Sequence, residues 1–143
     1  MQTHNFPVNR ILVVDDETDV TLTLKILLEV CGQVVRIASD GEEALRLVAS
    51  FRPQVILMDL AMPGMDGLAT ARAIRSMPDI EQPLMVAVTG FGQVAFRQAT
   101  REAGFDQHLV KPVTFNRLTG ILFDREAMEV PADGEPFPLQ RGP

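Results

Sequence analysis

Five side chains of three chemical kinds close the apolar runs of this sequence. The run "ILVV" ends in Asp15 and Asp16, with Glu17 next. "VILM" ends in Asp59, "VAV" in Thr89, and "HLV" in Lys111 followed by Pro112. Carboxylates gathered into one place repel one another unless a cation lies among them. A hard divalent ion suits an all-oxygen donor set, and Mg²⁺ suits one that keeps several waters. A carboxylate held ionised beside such an ion can attack phosphorus and form an acyl phosphate. The ammonium of Lys111 would neutralise charge on the transferring phosphoryl oxygens, and the Thr89 hydroxyl could donate to one of them.

That chemistry requires the run ends to converge, so the elements must bring them together. "RILVVDD" reads as a first buried strand. From Thr18, residues Val20, Leu24, Leu27, Leu28 and Cys31 recur at helical spacing, and Gly32 supplies a stop. "QVVRIA" is a second strand. "SDGEEALRLVASF" is a helix capped by Ser39 or Asp40, with acids in its first turn. "QVILMD", "LMVAV" and "QHLV" are three more strands. "GLATARAIRSM" and "GQVAFRQATREAG" are the helices between them. A last helix places Leu118, Ile121 and Leu122 inward, with Gly120 as a weak point. The strands are continuous apolar runs alternating with helices, which predicts an α/β fold: a doubly wound, five-stranded parallel sheet with helices on both faces. Ligands in such sheets sit at the carboxyl ends of the strands, where the five polar side chains lie.

With 143 residues and 46% hydrophobic content the chain is long enough for one folded domain. The formal charge of −6 argues against direct nucleic-acid binding. No apolar run approaches the length that spans a membrane, so membrane insertion is not expected. Cys31 is the one cysteine, which excludes an intramolecular disulfide and suits a cytoplasmic location; its place on an apolar stripe predicts a core thiol. The expected organisation is an N-terminal extension over 1–8, one domain over 9–128, and a Pro- and Gly-rich tail or linker over 129–143.

The segments "LVVDDE", "ILMDLAMPGMDG", "VAVTGFG" and "HLVKPV" resemble the four signatures of response-regulator receiver domains of two-component systems. The resemblance runs from about residue 9 to about 123. It implies a flavodoxin-like sheet of order 2-1-3-4-5 with Asp59 as phosphoacceptor. It further implies Mg²⁺ held by Asp16, Asp59, the Ala61 carbonyl and, through water, Asp15. Thr89 becomes the switch hydroxyl, Lys111 the phosphate-binding lysine, and Lys111–Pro112 a cis peptide bond. The phosphate would come from a phosphohistidine on a sensor histidine kinase or a histidine phosphotransfer domain. No separate substrate turnover is implied.

The sequence departs from common family patterns in three respects. His108 stands where Tyr or Phe is usual. Ala61 offers no polar side chain to the phosphoryl group. No effector domain is expected within these 143 residues, and "VTGFGQ" and "AGFDQHLVKP" most resemble receivers of hybrid sensor kinases. His108 is expected to couple phosphorylation to a face made by the last two helices and the fifth strand. Arg97 and Arg101 lie on that face one helical turn apart, and a homodimer could form through it. Leu22 and Ile26 are left outward on the first helix and read as a kinase-docking pair. The competing readings are a docking module without phosphorylation and a haloacid-dehalogenase-like phosphatase. Alanine two residues after Asp59 speaks against the phosphatase.

Overall fold

The computed structural model describes residues 7–60, 66–90 and 97–123. Strands and helices alternate as β1 (Arg10–Val14), α1 (Thr18–Val30), β2 (Val34–Ala38), α2 (Gly41–Phe51), β3 (Val55–Asp59), α3 (Gly67–Arg75), β4 (Leu84–Thr89), α4 (Arg97–Ala103), β5 (Gln107–Val110) and α5 (Phe115–Phe123). The five strands form one parallel sheet in the order β2-β1-β3-β4-β5. This is the doubly wound fold expected from the alternation. The predicted tail over 129–143, most of the extension over 1–8, and the first residues of the helix expected from "GQVAFRQATREAG" lie outside the described residues.

Each central strand buries both faces, which is why it reads as an unbroken apolar run. Leu12, Val14, Ile56, Met58, Met85 and Ala87 face one cluster, with Val48 of α2 and Ala71 and Ile74 of α3. Ile11, Val13, Leu57, Val86, Val88 and Leu109 face the other, with Leu24 and Leu28 of α1 and Leu118 and Ile121 of α5. A fully buried Leu or Ile adds about 1.5–3 kcal/mol, so these two layers outweigh any single polar contact in the fold. Register aligns the strand ends: Val14 opposes Met58, Asp59 opposes Val88, and Thr89 opposes Val110.

The helix ends follow from short polar side chains. Asp40, not Ser39, caps α2 by accepting from the Glu43 N–H at 2.8 Å, and Glu43 reaches back to the Ser39 N–H at 2.8 Å. Asp66 caps α3 by accepting from the Ala69 N–H. At the end of α1 the Gln33 and Gly32 N–H groups close on the Leu28 and Glu29 carbonyls in a Schellman arrangement.

The face α1 turns to the sheet is shifted from the expected one toward Thr21. Leu24 and Leu28 are buried as expected and Val20 packs half-buried against the second cluster, but Thr21 is buried as well and Leu27 is only half-buried. Thr21 is tolerated inside because its hydroxyl donates to the Thr18 carbonyl at 2.9 Å. The shift carries Cys31 to the C-cap of α1, where it is half-buried and not a core thiol. Desolvation still pushes its pKa above the ordinary 9.0.

Candidate functional site at the carboxyl edge of the sheet

Asp15 follows β1 directly and Asp59 is the last residue of β3, so two carboxylates stand on adjacent strands. Both are buried, at 3% and 6% exposure, while Asp16 is exposed. One carboxylate oxygen from each of Asp15, Asp16 and Asp59 lies within 4.8 Å of the others. Lys111 enters from the segment after β5, its Nζ 3.7 Å from Asp15 Oδ2 and 3.8 Å from Asp59 Oδ1. These separations are ion-pair distances beyond hydrogen-bond range, so the ammonium is attracted to both acids but clamped by neither. Three carboxylates and one ammonium leave excess negative charge at the cleft. An all-oxygen cluster of this kind fits a hard divalent cation such as Mg²⁺ better than a metal that seeks nitrogen or sulfur.

The local backbone explains the placements. Asp15 donates its N–H to the Ala38 carbonyl and accepts the Glu17 N–H on Oδ1 at 3.0 Å, which leaves Oδ2 toward Lys111. Glu17 is the N-cap of α1, so Asp16 is not that cap. Lys111 is set by its own N–H, which donates to the Thr89 carbonyl at 2.8 Å, and the Lys111–Pro112 peptide is cis. Thr89 is buried, and its hydroxyl donates to the Leu109 carbonyl over a long 3.4 Å. The hydroxyl is therefore held weakly on the β5 side of the cleft. The Ala61 carbonyl lies outside the described residues, as do Pro63 and Gly64.

Gly67 is a site residue whose role sequence reading missed. The sequence marks it only as the first residue of the helix expected from "GLATARAIRSM". A Cβ on Gly67 would fall 2.6 Å from the Asp59 carbonyl oxygen and 2.8 Å from the Leu60 Cα. The start of α3 is thus packed directly on the backbone of Asp59, and no larger residue fits there without displacement.

His108 is buried at 3% exposure, which excludes a passive surface histidine. Its Nδ1 lies 3.4 Å from Nη1 of Arg97. A guanidinium only donates, so Nδ1 accepts in this contact and an imidazole proton belongs on Nε2. Arg97 and Arg101 are half-buried on α4, and Arg101 donates to Gln98 at 3.0 Å. Leu22 and Ile26 are 46% and 61% exposed on α1, as their spacing predicted. A groove of about 400 Å³ is lined by Asp19, Val20, Thr23 and Leu24 of α1, together with Val88 and residues 111–113.

Comparison with known proteins agrees with this geometry. The family model for the response regulator receiver domain matches residues 11–123. The chain is 39% identical over 125 residues to the response regulator MprA of Mycolicibacterium vanbaalenii, covering 87% of this chain and 53% of that protein. It therefore spans about half the length of that curated relative. A crystal structure of a response regulator from Chloroflexus aurantiacus superposes with TM-score 0.74 at 30% identity, covering 81% of this chain and 98% of that one. The receiver domain of a Pseudomonas aeruginosa sensor histidine kinase, solved with magnesium in its active-site cleft, superposes with TM-score 0.73 at 28% identity, covering 81% and 95%. By the match over 11–123, the fold and the strand order, this chain belongs to the response-regulator receiver family.

Proposed function

We propose that the chain accepts a phosphoryl group on Asp59 from a phosphohistidine and passes the change to the face formed by α4, β5 and α5. The observation that carries this reading is the convergence of Asp15, Asp16 and Asp59 within 4.8 Å, with Lys111 facing two of them. Asp15, Asp16 and Asp59 would hold Mg²⁺, joined by the Ala61 carbonyl, and the ion when bound supplies charge neutralisation to the transferring oxygens. The magnesium of the Pseudomonas aeruginosa receiver supports that assignment.

Asp59 is the nucleophile because its carboxylate stands on a rigid strand end, backed by the start of α3. One of its oxygens attacks phosphorus, the bond from phosphorus to the histidine nitrogen breaks, and the nitrogen keeps the electron pair. Lys111 follows the added negative charge away from Asp15. The Thr89 hydroxyl exchanges its weak bond to the Leu109 carbonyl for a phosphoryl oxygen. That turn vacates space beside β5, into which His108 shifts, and Arg97 and Arg101 on α4 report the change. The same face is where two copies would join.

The donor is a sensor histidine kinase or a histidine phosphotransfer domain. It docks on Leu22 and Ile26, the exposed apolar pair of α1. The functional unit spans 9–128, acts in the cytoplasm and turns over no separate substrate. Among the described residues no helix is long and apolar enough to cross a membrane.

The test is labelling with acetyl phosphate and Mg²⁺. Wild type should gain the mass of one phosphoryl group and Asp59→Asn none, since the amide is a poor nucleophile. Undiminished labelling of Asp59→Asn would remove the assignment. Rapid multiple turnover of acetyl phosphate would favour a phosphatase instead.

A further inference from the structure

The end of the sheet opposite the acidic cleft holds a second polar arrangement, centred on Arg75, the last residue of α3. Its Nε and Nη2 donate to the Gly104 carbonyl at 2.9 and 2.6 Å. Nη1 donates to Gln82 Oε1 and to the Pro83 carbonyl, each at 2.9 Å. Nη2 also meets Asp106 Oδ2 at 2.9 Å. Every N–H of the guanidinium fork thus has an acceptor, a use of arginine that lysine cannot reproduce.

The acceptors are not incidental. Gly104 ends α4 with φ +112, and a Cβ there would fall 2.6 Å from Arg75 Cγ. Only glycine supplies both that backbone and that clearance. Asp106 exchanges two bonds with Met85: its Oδ2 accepts the Met85 N–H, and its own N–H donates to the Met85 carbonyl, each at 2.8 Å. Those bonds start the β4–β5 ladder that sets His108 opposite Ala87 and Thr89 opposite Val110. Arg75 therefore holds the exit of α4 and the first pairing of β5 at once.

The other end of α3 rests on Asp59. Gly67 packs against the Asp59 carbonyl oxygen and donates its N–H to the Leu60 carbonyl at 3.3 Å. Between the two ends, Thr70, Ala71 and Ile74 are buried. A short helix with one buried face, fixed at both ends, moves as a unit more readily than it bends.

We infer that α3 is a strut joining Asp59 to the α4–β5 turn, with Arg75 as the positioning residue at its far end. It forms a second connection to the α4–β5–α5 face, separate from Thr89 and His108. A displacement of the Asp59 backbone on phosphorylation pushes Gly67, and Arg75 delivers it to Gly104 and Asp106. The inference rests on Asp59 as phosphoacceptor.

The experiment compares backbone amide shifts before and after acetyl phosphate treatment with Mg²⁺, in wild type, Arg75→Gln and Arg75→Lys. In wild type the amides of residues 104–107 should respond. In Arg75→Gln that response should fall by more than about half, with Arg75→Lys intermediate, while the Thr89 and Lys111 amides respond as in wild type. Labelling of Asp59 should stay within about twofold of wild type, since Arg75 touches no reacting group. A clamp that only stabilised the fold would lower the melting temperature and leave the phosphorylation-dependent differences intact, and that result overturns the strut. No response of residues 104–107 in wild type overturns it equally. Failure of wild type to label would instead overturn the role of Asp59. If Arg75→Gln does not fold, Arg75→Lys alone decides by the same comparison.

Discussion

Replacing Gly67 by alanine should displace Asp59, the proposed phosphoacceptor, without removing any polar group. The added methyl carbon would stand 2.6 Å from the Asp59 carbonyl oxygen and 2.8 Å from the Leu60 Cα, both backbone atoms that no rotamer change can clear. Ordinary carbon–oxygen contact begins near about 3.4 Å, so the strand end or the helix start must yield by about 0.8 Å. Overpacking of this kind costs about 1–3 kcal/mol, and alanine returns about 0.5–1 kcal/mol as the better helix former. The net loss centres on about 1 kcal/mol within a span of about 0–2.5, and its centre corresponds to a fall of about 3–6 °C in melting temperature for a domain of this size. A misplacement approaching 1 Å costs up to about 10²-fold in a reaction that depends on in-line geometry, so labelling by acetyl phosphate should slow by about 10- to 100-fold. Ile74→Val supplies the control. Ile74 is fully buried near the far end of the same helix, and its truncation costs about 0.5–1.5 kcal/mol. It should match the stability loss and label at the wild-type rate. If Gly67→Ala is as stable as wild type and labels at the same rate, α3 does not bear on Asp59 and the reasoning fails.

Lys111→Met removes the ammonium that faces Asp15 and Asp59 and should slow labelling by about 10²–10³-fold, read by the same assay; a smaller loss than tenfold would mean Lys111 does not stabilise the transferring group. Leu22→Ser with Ile26→Ser should slow transfer from a phosphorylated kinase by about tenfold or more while acetyl phosphate labelling is unchanged; equal slowing of both would assign the pair to the fold or site, and no slowing would place docking elsewhere. Cys31 has a folded pKa raised above 9.0 by burial, so its contribution to stability is complete below that value and is lost as pH rises through the folded one. Iodoacetamide should accordingly modify the native thiol more slowly than the unfolded chain at pH values near 9, and equal rates would show the thiol to be fully solvated.

The site was legible because chemistry and burial pull in opposite directions at a strand end. A parallel strand covered on both faces admits only apolar residues, so Asp15, Asp59, Thr89 and Lys111 stand out where each run stops. The topology then brings those stops together, and the register of Asp59 with Val88 and Thr89 with Val110 does so in space. The rotation of α1 was not legible. Its apolar residues outnumber what one face can bury, and Thr21 satisfies its own hydroxyl and takes a buried place that Leu27 and Cys31 seemed to claim. Gly67 and Arg75 were invisible for a different reason. A glycine chosen for its neighbour's backbone looks like any turn glycine, and an arginine that holds a distant carbonyl looks like any surface arginine. The partner of Gly67 lies across the loop that follows β3, and that of Arg75 is remote, with Gly104 29 positions away.

The central claim is that phosphorus is held by one carboxylate, and chemical trapping tests it at the level of the residue. Borohydride reduces an acyl phosphate to an alcohol, so aspartyl phosphate becomes homoserine and its position can be read by peptide sequencing in a mass spectrometer. After acetyl phosphate and Mg²⁺, the conversion should fall on Asp59 alone, and should be lost on chelation and in Asp16→Ala. Conversion at Asp15, Asp16 or another acid, or equal conversion at Asp59 with and without divalent cation, would contradict the account.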